Sequence, residues 1–188
     1  MKKLLPLPLL FFVLTSFVVL QDAGEQDGRV RTFMTGKIDR WDVTLGDEEG
    51  NIEAYMKDDP NRWTFEIDTM SGEVNSEFTD KFNSWEITVG TKTYKLKTWL
   101  SASWTKWELS GGDIIGKESI QTLYANSWDN WEMKQEDSVR ADITTYYGNS
   151  WDDWNIRADM KKLNEGEKIT CVFMPLFVSR IYRKGLAH

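Results

Sequence analysis

The chain has 188 residues, a formal net charge of −7, one cysteine, one histidine and ten tryptophans. This length is enough for one domain with a substantial core. One cysteine excludes an intrachain disulfide framework and any multi-cysteine metal site, and the terminal His188 leaves no imidazole for a buried catalytic triad. We therefore predict a protein that is not an enzyme, with no catalytic residues, no cofactor and no metal ligands. An acidic chain without a block of basic residues also repels nucleic acid.

The first 21 residues have the pattern of a secretory signal peptide. Lys2 and Lys3 precede an apolar run from Leu4 to Leu20, which falls just short of the roughly 20 residues that a membrane-spanning helix needs. An uncleaved anchor is the alternative. Loss of the two lysines takes the formal charge from −7 to −9. Because the chain also lacks disulfides and N-glycosylation sequons, we predict a bacterial protein that is secreted, periplasmic or part of the cell envelope.

A repeat of about 22 residues fills positions 29–188, after an acidic linker at 22–28. Six tryptophans mark it, at separations of 22, 22, 22, 24 and 23 residues: Trp41, Trp63, Trp85, Trp107, Trp131 and Trp154. Each copy alternates apolar and polar residues, passes a polar turn and alternates again, which predicts a β-hairpin. A seventh copy at 169–184 has Arg180 in place of tryptophan and is expected to cap the array. Seven hairpins give about 14 strands.

Pairing neighbouring strands antiparallel places apolar residues on one face and charged residues on the other. In this register Met34 and Met56 flank Trp41, and Cys171 lies in a neighbouring core row as a buried thiol. The large side chains opposite the tryptophans form one buried band: Met34, Met56, Phe78, Leu100, Tyr124, Tyr147 and Phe173. The charged outer face argues against insertion of the mature domain into a membrane.

The sequence therefore predicts an all-β, antiparallel up-and-down meander whose apolar face has to be covered. An open sheet of 14 strands would span roughly 67 Å and expose that face to water. An even strand number lets the last strand, Arg180 to Lys184, meet the first one, so we predict a sheet closed or rolled into a flattened barrel. The alternative is an open twisted sheet that could pair with a second copy as a homo-oligomer.

In the period of its hairpins, such an open sheet is similar to the repeat sheets of the MORN family. The Gly-rich Tyr-x-Gly signature of that family is absent from this chain. The resemblance therefore implies an architecture only, and no function or residue is carried over from it.

Two sets of aromatic residues are left once the core has been assigned. A ring beside amide and carboxylate groups is typical of carbohydrate sites, although Asn and Asp also form turns around an apolar plug. The first set lies in turns that precede the aligned tryptophans: Trp104, Asn126, Trp128, Asp129, Asn149, Trp151 and Asp152. The second set lies on the outer face, where rings also pack against the aliphatic stems of their neighbours: Tyr55, Trp99 and Tyr146.

Two functions fit these observations. The first is a non-catalytic secreted or cell-envelope β-repeat protein, acting as a binding or structural component for a protein or surface partner. The alternative is a lectin-like module that binds polysaccharide through the turn or outer-face aromatics. Repetition favours binding over catalysis, because an active site needs one asymmetric arrangement of residues.

Overall fold

The computed structural model describes residues 26–183, except 58, 80, 101, 102, 125, 126 and 149. The predicted signal peptide therefore lies outside the described residues. The strands and the helix follow one another along the chain as β1 (Gln26–Met34), β2 (Lys37–Leu45), β3 (Glu48–Ala54), β4 (Arg62–Ile67), β5 (Met70–Phe78), β6 (Lys81–Val89), β7 (Lys92–Leu100), β8 (Ser103–Gly111), β9 (Glu118–Thr122), β10 (Asn130–Gln135), β11 (Ser138–Thr145), β12 (Asp153–Ala158) and α1 (Glu165–Arg183).

The sheet is a closed antiparallel barrel, which confirms the predicted meander and its closure. Each strand pairs with its neighbours in the sequence, and β12 pairs with β1. That last pairing runs from Gln26 opposite Ala158 to Arg31 opposite Asp153. Closure excludes the open MORN-like sheet, and with it a homo-oligomer formed across an open apolar face. Since β1 begins at Gln26, the segment 22–28 is not wholly a linker.

The seventh copy is a helix and not a hairpin, so the prediction of 14 strands is wrong by two. The helix α1 contacts β2, β6 and β11, which lie on different sides of the barrel, so it occupies the interior. Its residues from Ile169 to Ile181 are buried. Cys171, predicted in a strand, is fully buried on this helix, and burial raises the pKa of its thiol. The strand predicted at Arg180 to Lys184 is replaced by β12 as the partner of β1.

The local sequence explains why the chain turns helical here. The side-chain oxygen of Asn164 accepts a hydrogen bond from the Glu167 N–H at 2.9 Å, and the Glu167 carboxylate accepts one from the Asn164 N–H at 2.6 Å. This reciprocal arrangement is a capping box. The residues from Ile169 to Ile181 are all buried and are mostly apolar, as expected of a helix enclosed by core. Pro175 removes one backbone donor inside the helix, and the surrounding burial outweighs that loss.

The six aligned tryptophans line the interior and are at most 2 % exposed. In five of them the indole Nε1 donates to the backbone carbonyl three residues earlier, in the preceding turn or at the start of the same strand. The sixth, Trp154, donates instead to the hydroxyl of Ser179 on α1 at 3.1 Å. The buried indole donors are therefore satisfied by their own hairpins, and in the last repeat by the helix.

The predicted faces are right, but the predicted register is wrong by an even number of residues. Trp41 lies opposite Thr32 and Ile52, and not opposite Met34 and Met56. An even shift keeps inward residues inward while it moves them along the barrel. The predicted core band is consequently exposed at one end of the barrel, apart from the helical Phe173: Met34, Met56, Phe78, Leu100, Tyr124 and Tyr147.

Replacing Trp85 with alanine should cost about 3–5 kcal/mol of unfolding free energy or abolish folding. Trp85 is 1 % exposed and packs edge-on against Phe173 of the helix, with ring centroids 4.8 Å apart. Trp99→Ala should cost far less, because that ring is 59 % exposed. Urea denaturation followed by circular dichroism measures both costs. Equal losses would contradict the placement of these two rings.

Candidate functional site

The two ends of the barrel differ chemically. One end carries the six turns inside the repeats, which join β1 to β2, β3 to β4 and so on to β12. Of the thirteen large apolar side chains exposed in the described part of the chain, eleven lie at this end and are 41–67 % exposed. We call these eleven residues the apolar rim: Phe33, Met34, Tyr55, Met56, Phe78, Trp99, Leu100, Leu123, Tyr124, Tyr146 and Tyr147. The other two, Ile115 and Val139, lie at the opposite end.

The repeat itself builds the apolar rim. In five of the six repeats, two successive large apolar residues stand where the first strand gives way to its turn. The third repeat has Glu77 ahead of Phe78, and the Glu77 carboxylate accepts hydrogen bonds from Ser84 at 2.6 Å and Lys95 at 3.2 Å. The Ser84 hydroxyl is the main cause that keeps the pKa of Glu77 below its ordinary value. The rim is therefore a ring of apolar residue pairs, with Glu77 as the one polar residue in place of an apolar one.

Basic side chains from neighbouring strands cover one face of several rim rings. Cation–π contacts of this kind contribute about 0.5–1 kcal/mol at exposed sites. Two of the arginines are also held by carboxylates, Arg62 by Glu73 at 2.8 Å and Arg29 by Asp153 at 2.5 Å. The closest contacts, measured to the ring centroid, are Arg62 on Tyr55 at 4.1 Å, Arg29 on Tyr146 at 4.1 Å and Lys106 on Trp99 at 4.8 Å. The three outer-face residues predicted as ligand contacts are thus half exposed and fixed in orientation.

The turn residues predicted as ligand contacts lie closer to the core. Trp104, Trp128 and Trp151 are partly buried and pack against it. The Trp128 ring lies 5.9 Å from the Trp131 ring, and the Trp104 ring lies 6.0 Å from the ring of Phe177 on α1. Asp129 accepts a hydrogen bond from the Ser127 hydroxyl in its own turn, and Asp152 is half-buried in the equivalent turn of the next repeat. The other two predicted contacts, Asn126 and Asn149, lie outside the described residues. The tryptophans of these turns cover the end of the core, and a ligand role for the turns stays a prediction.

The barrel interior is filled at the rim end. A pocket lined by Trp63, Trp85, Phe177 and Arg180 has a volume of about 30 Å³, roughly the share of one water molecule in liquid water. Across the residues that the structure describes, no group of three or more His, Cys, Asp or Glu side chains is placed to hold a metal ion. No helix within 26–183, outside the gaps, is both long and apolar enough to cross a membrane. The candidate sites are therefore the exposed surfaces and a cleft of about 340 Å³ at the opposite end, between the β4–β5 turn, the β6–β7 turn and Glu165.

At the opposite end, two buried carboxyl groups meet beneath the start of α1. Glu118 on β9 is 2 % exposed and hydrogen-bonds to Glu167 in the first helical turn. Burial, reinforced by the charge of Glu167, raises the pKa of Glu118 to about 8. Glu118 therefore keeps its proton to a higher pH than an ordinary glutamate and shares a hydrogen bond with Glu167, whose carboxylate also accepts from the Arg140 guanidinium at 3.1 Å. This pair seats the helix in the barrel.

The sequence contained a signal for this pair that the strand pattern concealed. Glu118 has the same parity as the buried Ile120, so it belongs to the inward face of β9. Glu167 stands three residues after Asn164, at the position that closes a capping box. When residues 169–184 are interpreted as strands, the sequence offers no reason to place Glu118 beside Glu167.

No family model matches the sequence, and neither the curated proteins nor the solved structures give a match. The protein is therefore classed by its own architecture, as a closed antiparallel barrel around a C-terminal helix.

The free energy of unfolding should fall as the pH rises from 4.5 to 8, by up to about 1.4 kcal/mol per pH unit for one proton. Across this range the unfolded chain has lost the Glu118 proton while the folded protein keeps it, because the folded pKa of about 8 lies above the ordinary value of 4.5. Glu118→Gln cannot ionise and should remove this part of the pH dependence. Urea titrations at several pH values measure it.

Glu66→Gln is the matched control, because Glu66 is an exposed strand carboxylate away from the helix. That variant should keep the fall in stability above pH 4.5. An unchanged pH profile in the Glu118 variant would show that the buried pair does not couple folding to pH.

The double variant Trp128→Ala, Trp151→Ala should lose stability, by roughly 1–3 kcal/mol for each partly buried ring. Both rings pack on core tryptophans, with Trp151 lying 5.7 Å from Trp154. Thermal denaturation measures the loss, and a glycan array on the same samples measures sugar binding. A variant with unchanged stability that loses binding to an oligosaccharide would identify these turns as a carbohydrate site.

Proposed function

We propose that this protein is a non-catalytic binding protein that recognises another protein through the apolar rim. The observation that supports this proposal is the collection of eleven exposed large apolar side chains at one end of the barrel. A large aromatic side chain has about 150–250 Å² of surface, and because each rim side chain is 41–67 % exposed, the eleven together present on the order of 1,000 Å². The largest apolar patch on a typical monomer is about 300–600 Å², and patches beyond that size mark interaction sites.

The distribution of the remaining polar groups supports binding over catalysis. The barrel interior is occupied by α1, and the buried carboxyl pair of Glu118 and Glu167 is engaged with Arg140 in seating that helix. The rim offers rings held by arginine and lysine, which lowers the ordering cost of docking. A preorganised apolar surface of this kind suits a protein partner.

Export is part of the proposal, and its support is the sequence of residues 1–21 alone. The positive start and the apolar run of that segment favour a protein that acts in the cell envelope or outside the cell. The rim lies at the end of the barrel opposite Gln26, where β1 begins beside the end of β12. A segment attached before β1 therefore leaves the rim accessible to a partner.

The lectin-like alternative is supported by the half-exposed rings of Tyr55, Trp99 and Tyr146. A sugar would stack on the ring faces that cations do not cover. The aliphatic neighbours of these rings, Met56 and Leu100, add apolar area but no group that could hydrogen-bond sugar hydroxyls. The composition of the rim therefore favours a protein over a polysaccharide.

A photo-crosslinking side chain placed at Leu100 should yield a covalent adduct with a discrete protein in cells that produce this chain. Leu100 is 62 % exposed within the rim, so its replacement leaves the core intact. The matched control is the same side chain at Ile115, which is 90 % exposed at the opposite end. Mass spectrometry of the adducts identifies the partner.

Equal labelling at the two positions, or no protein adduct at Leu100, would contradict a rim-directed protein partner. Adducts with glycan alone would favour the lectin-like alternative.

A further inference from the structure

We propose that the cleft at the end of the barrel opposite the rim binds a small neutral polyhydroxy compound, of the size of one sugar ring. The cleft lies between the β4–β5 turn, the β6–β7 turn and the start of α1, and its volume is about 340 Å³. Small-molecule sites occupy about 300–1,000 Å³, so this cleft is at the lower end of that range. The site is separate from the apolar rim and does not depend on the function proposed for the rim.

Two tight hairpin turns form neighbouring walls of the cleft. The β4–β5 turn consists of Asp68 and Thr69, and the β6–β7 turn consists of Gly90 and Thr91. Asp68 and Gly90 have positive φ angles of 48° and 56°, and a positive φ at the first turn residue is typical of the primed hairpin turns. Because β5 pairs with β6, the turns stand side by side, and the Gly90 N–H donates to the Ser71 carbonyl at 3.3 Å. The cleft is therefore bounded by turns of defined shape.

The cleft also contains a lysine that is held from two sides. The Lys92 ammonium donates to Asp113 at 2.7 Å and to Glu165 of α1 at 2.9 Å. The other Asp113 oxygen accepts from the hydroxyl of the buried Tyr94 at 2.8 Å. The Tyr94 ring packs so closely on Gly166 that an added Cβ there would lie 2.4 Å from it. Lys92 is therefore a fixed donor, with one of the three N–H groups of an ammonium left for a ligand.

The charges around the cleft disfavour an ionic ligand. An anion would approach a single ammonium whose charge is already neutralised by two carboxylates, and Asp68 adds a further acidic residue in the β4–β5 turn. A cationic ligand would compete with Lys92, which already lies between Asp113 and Glu165. The hydrogen bonds to these carboxylates keep the pKa of Lys92 above its ordinary value, so its charge persists. A neutral ligand that both donates and accepts hydrogen bonds suits this site.

The remaining lining has the polarity of a site for a sugar. Three exposed hydroxyl groups line the cleft, and none of them has a hydrogen bond to another side chain among the described residues: Thr69, Ser71 and Thr91. Together with Lys92 and Glu165 they offer donors and acceptors from three elements. The buried Met70 and Val89 supply the apolar part of the lining. A sugar ring has the complementary arrangement, with hydroxyls at its edge and C–H groups on its face.

Two-dimensional amide NMR of the isotope-labelled full chain tests this site, with D-glucose, D-galactose and N-acetyl-D-glucosamine as the probes. At least one of these sugars should move the amide signals of Ser71, Gly90 and Thr91 together and to saturation. We expect a dissociation constant of roughly 1 mM, because a small open site makes few contacts.

Removing the hydroxyls should weaken this binding while the fold is kept. Ser71→Ala combined with Thr91→Val changes the shape of the cleft little and should raise the dissociation constant roughly tenfold. The matched control is Ser138→Ala, which removes an exposed serine hydroxyl at the start of β11, at the same end of the barrel but outside the cleft. That variant should bind as the original chain does. Thermal denaturation checks that every variant is folded.

Signals that move without saturation for all three sugars, or an equal loss of affinity in the control, would overturn the site. A saturating response to inorganic phosphate and to none of the sugars would overturn the neutral ligand. Sugar-dependent shifts at Trp99 and Tyr146 in place of the cleft would overturn the cleft and favour the lectin-like alternative. The proposed function of the rim is decided separately by the crosslinker at Leu100, since none of these variants alters the rim.

Discussion

The structure depends on the fit between a barrel of twelve strands and the helix that it encloses. Twelve strands about 4.8 Å apart and tilted by roughly 40° close at a backbone radius of about 12 Å. A helix with its side chains takes roughly 5–6 Å of that radius. The shell of about 6 Å that is left matches the reach of an inward tryptophan or leucine. The aligned tryptophans and the aliphatic residues of the strands fill this shell.

This fit explains why the seventh copy does not extend the sheet. Fourteen strands would close at a backbone radius of about 14 Å and would use the seven repeats entirely as sheet, with none of them left to fill the interior. A barrel of that size, lined only by its own side chains, would enclose a void that costs stability. Converting the last copy into α1 reduces the radius and supplies the filling, with Phe173 and Phe177 packed directly on Trp85.

The period and the faces of the sheet could be predicted because both depend on alternation, which each repeat shows independently. The register could not, because it depends on how each turn closes. Met34 pairs with Lys37 across a two-residue turn. An irregularity between Thr32 and Met34 then shifts the strand pairing by two positions, so that Thr32 lies opposite Trp41. The same irregularity recurs between Ser76 and Phe78 and between Thr98 and Leu100. A β-bulge of this kind leaves little trace in an apolar pattern.

The difference between the predicted and the observed register changes the interpretation of the surface. With Met34 and Met56 beside Trp41 the large residues would all be core, and the best surface candidates would be rings scattered on the wall. With Thr32 and Ile52 beside Trp41, the large residues lie past the end of the ladder and form the apolar rim. The helix was missed for another reason: it is buried on every side, so its apolar residues are not confined to one face and show no clear helical period. The capping box of Asn164 and Glu167 was the one local sequence signal that a helix begins there.

The position of α1 in the chain has a consequence for how the protein is made. The central element of the core, α1, follows all twelve strands in the chain, and the strand that closes the sheet, β12, comes only just before it. A chain still emerging from the ribosome has strands before it has the helix around which they pack. Its folding is one late step that joins distant parts of the sequence. A chain that stops before Glu165 therefore keeps every strand of the sheet and lacks the centre of its core.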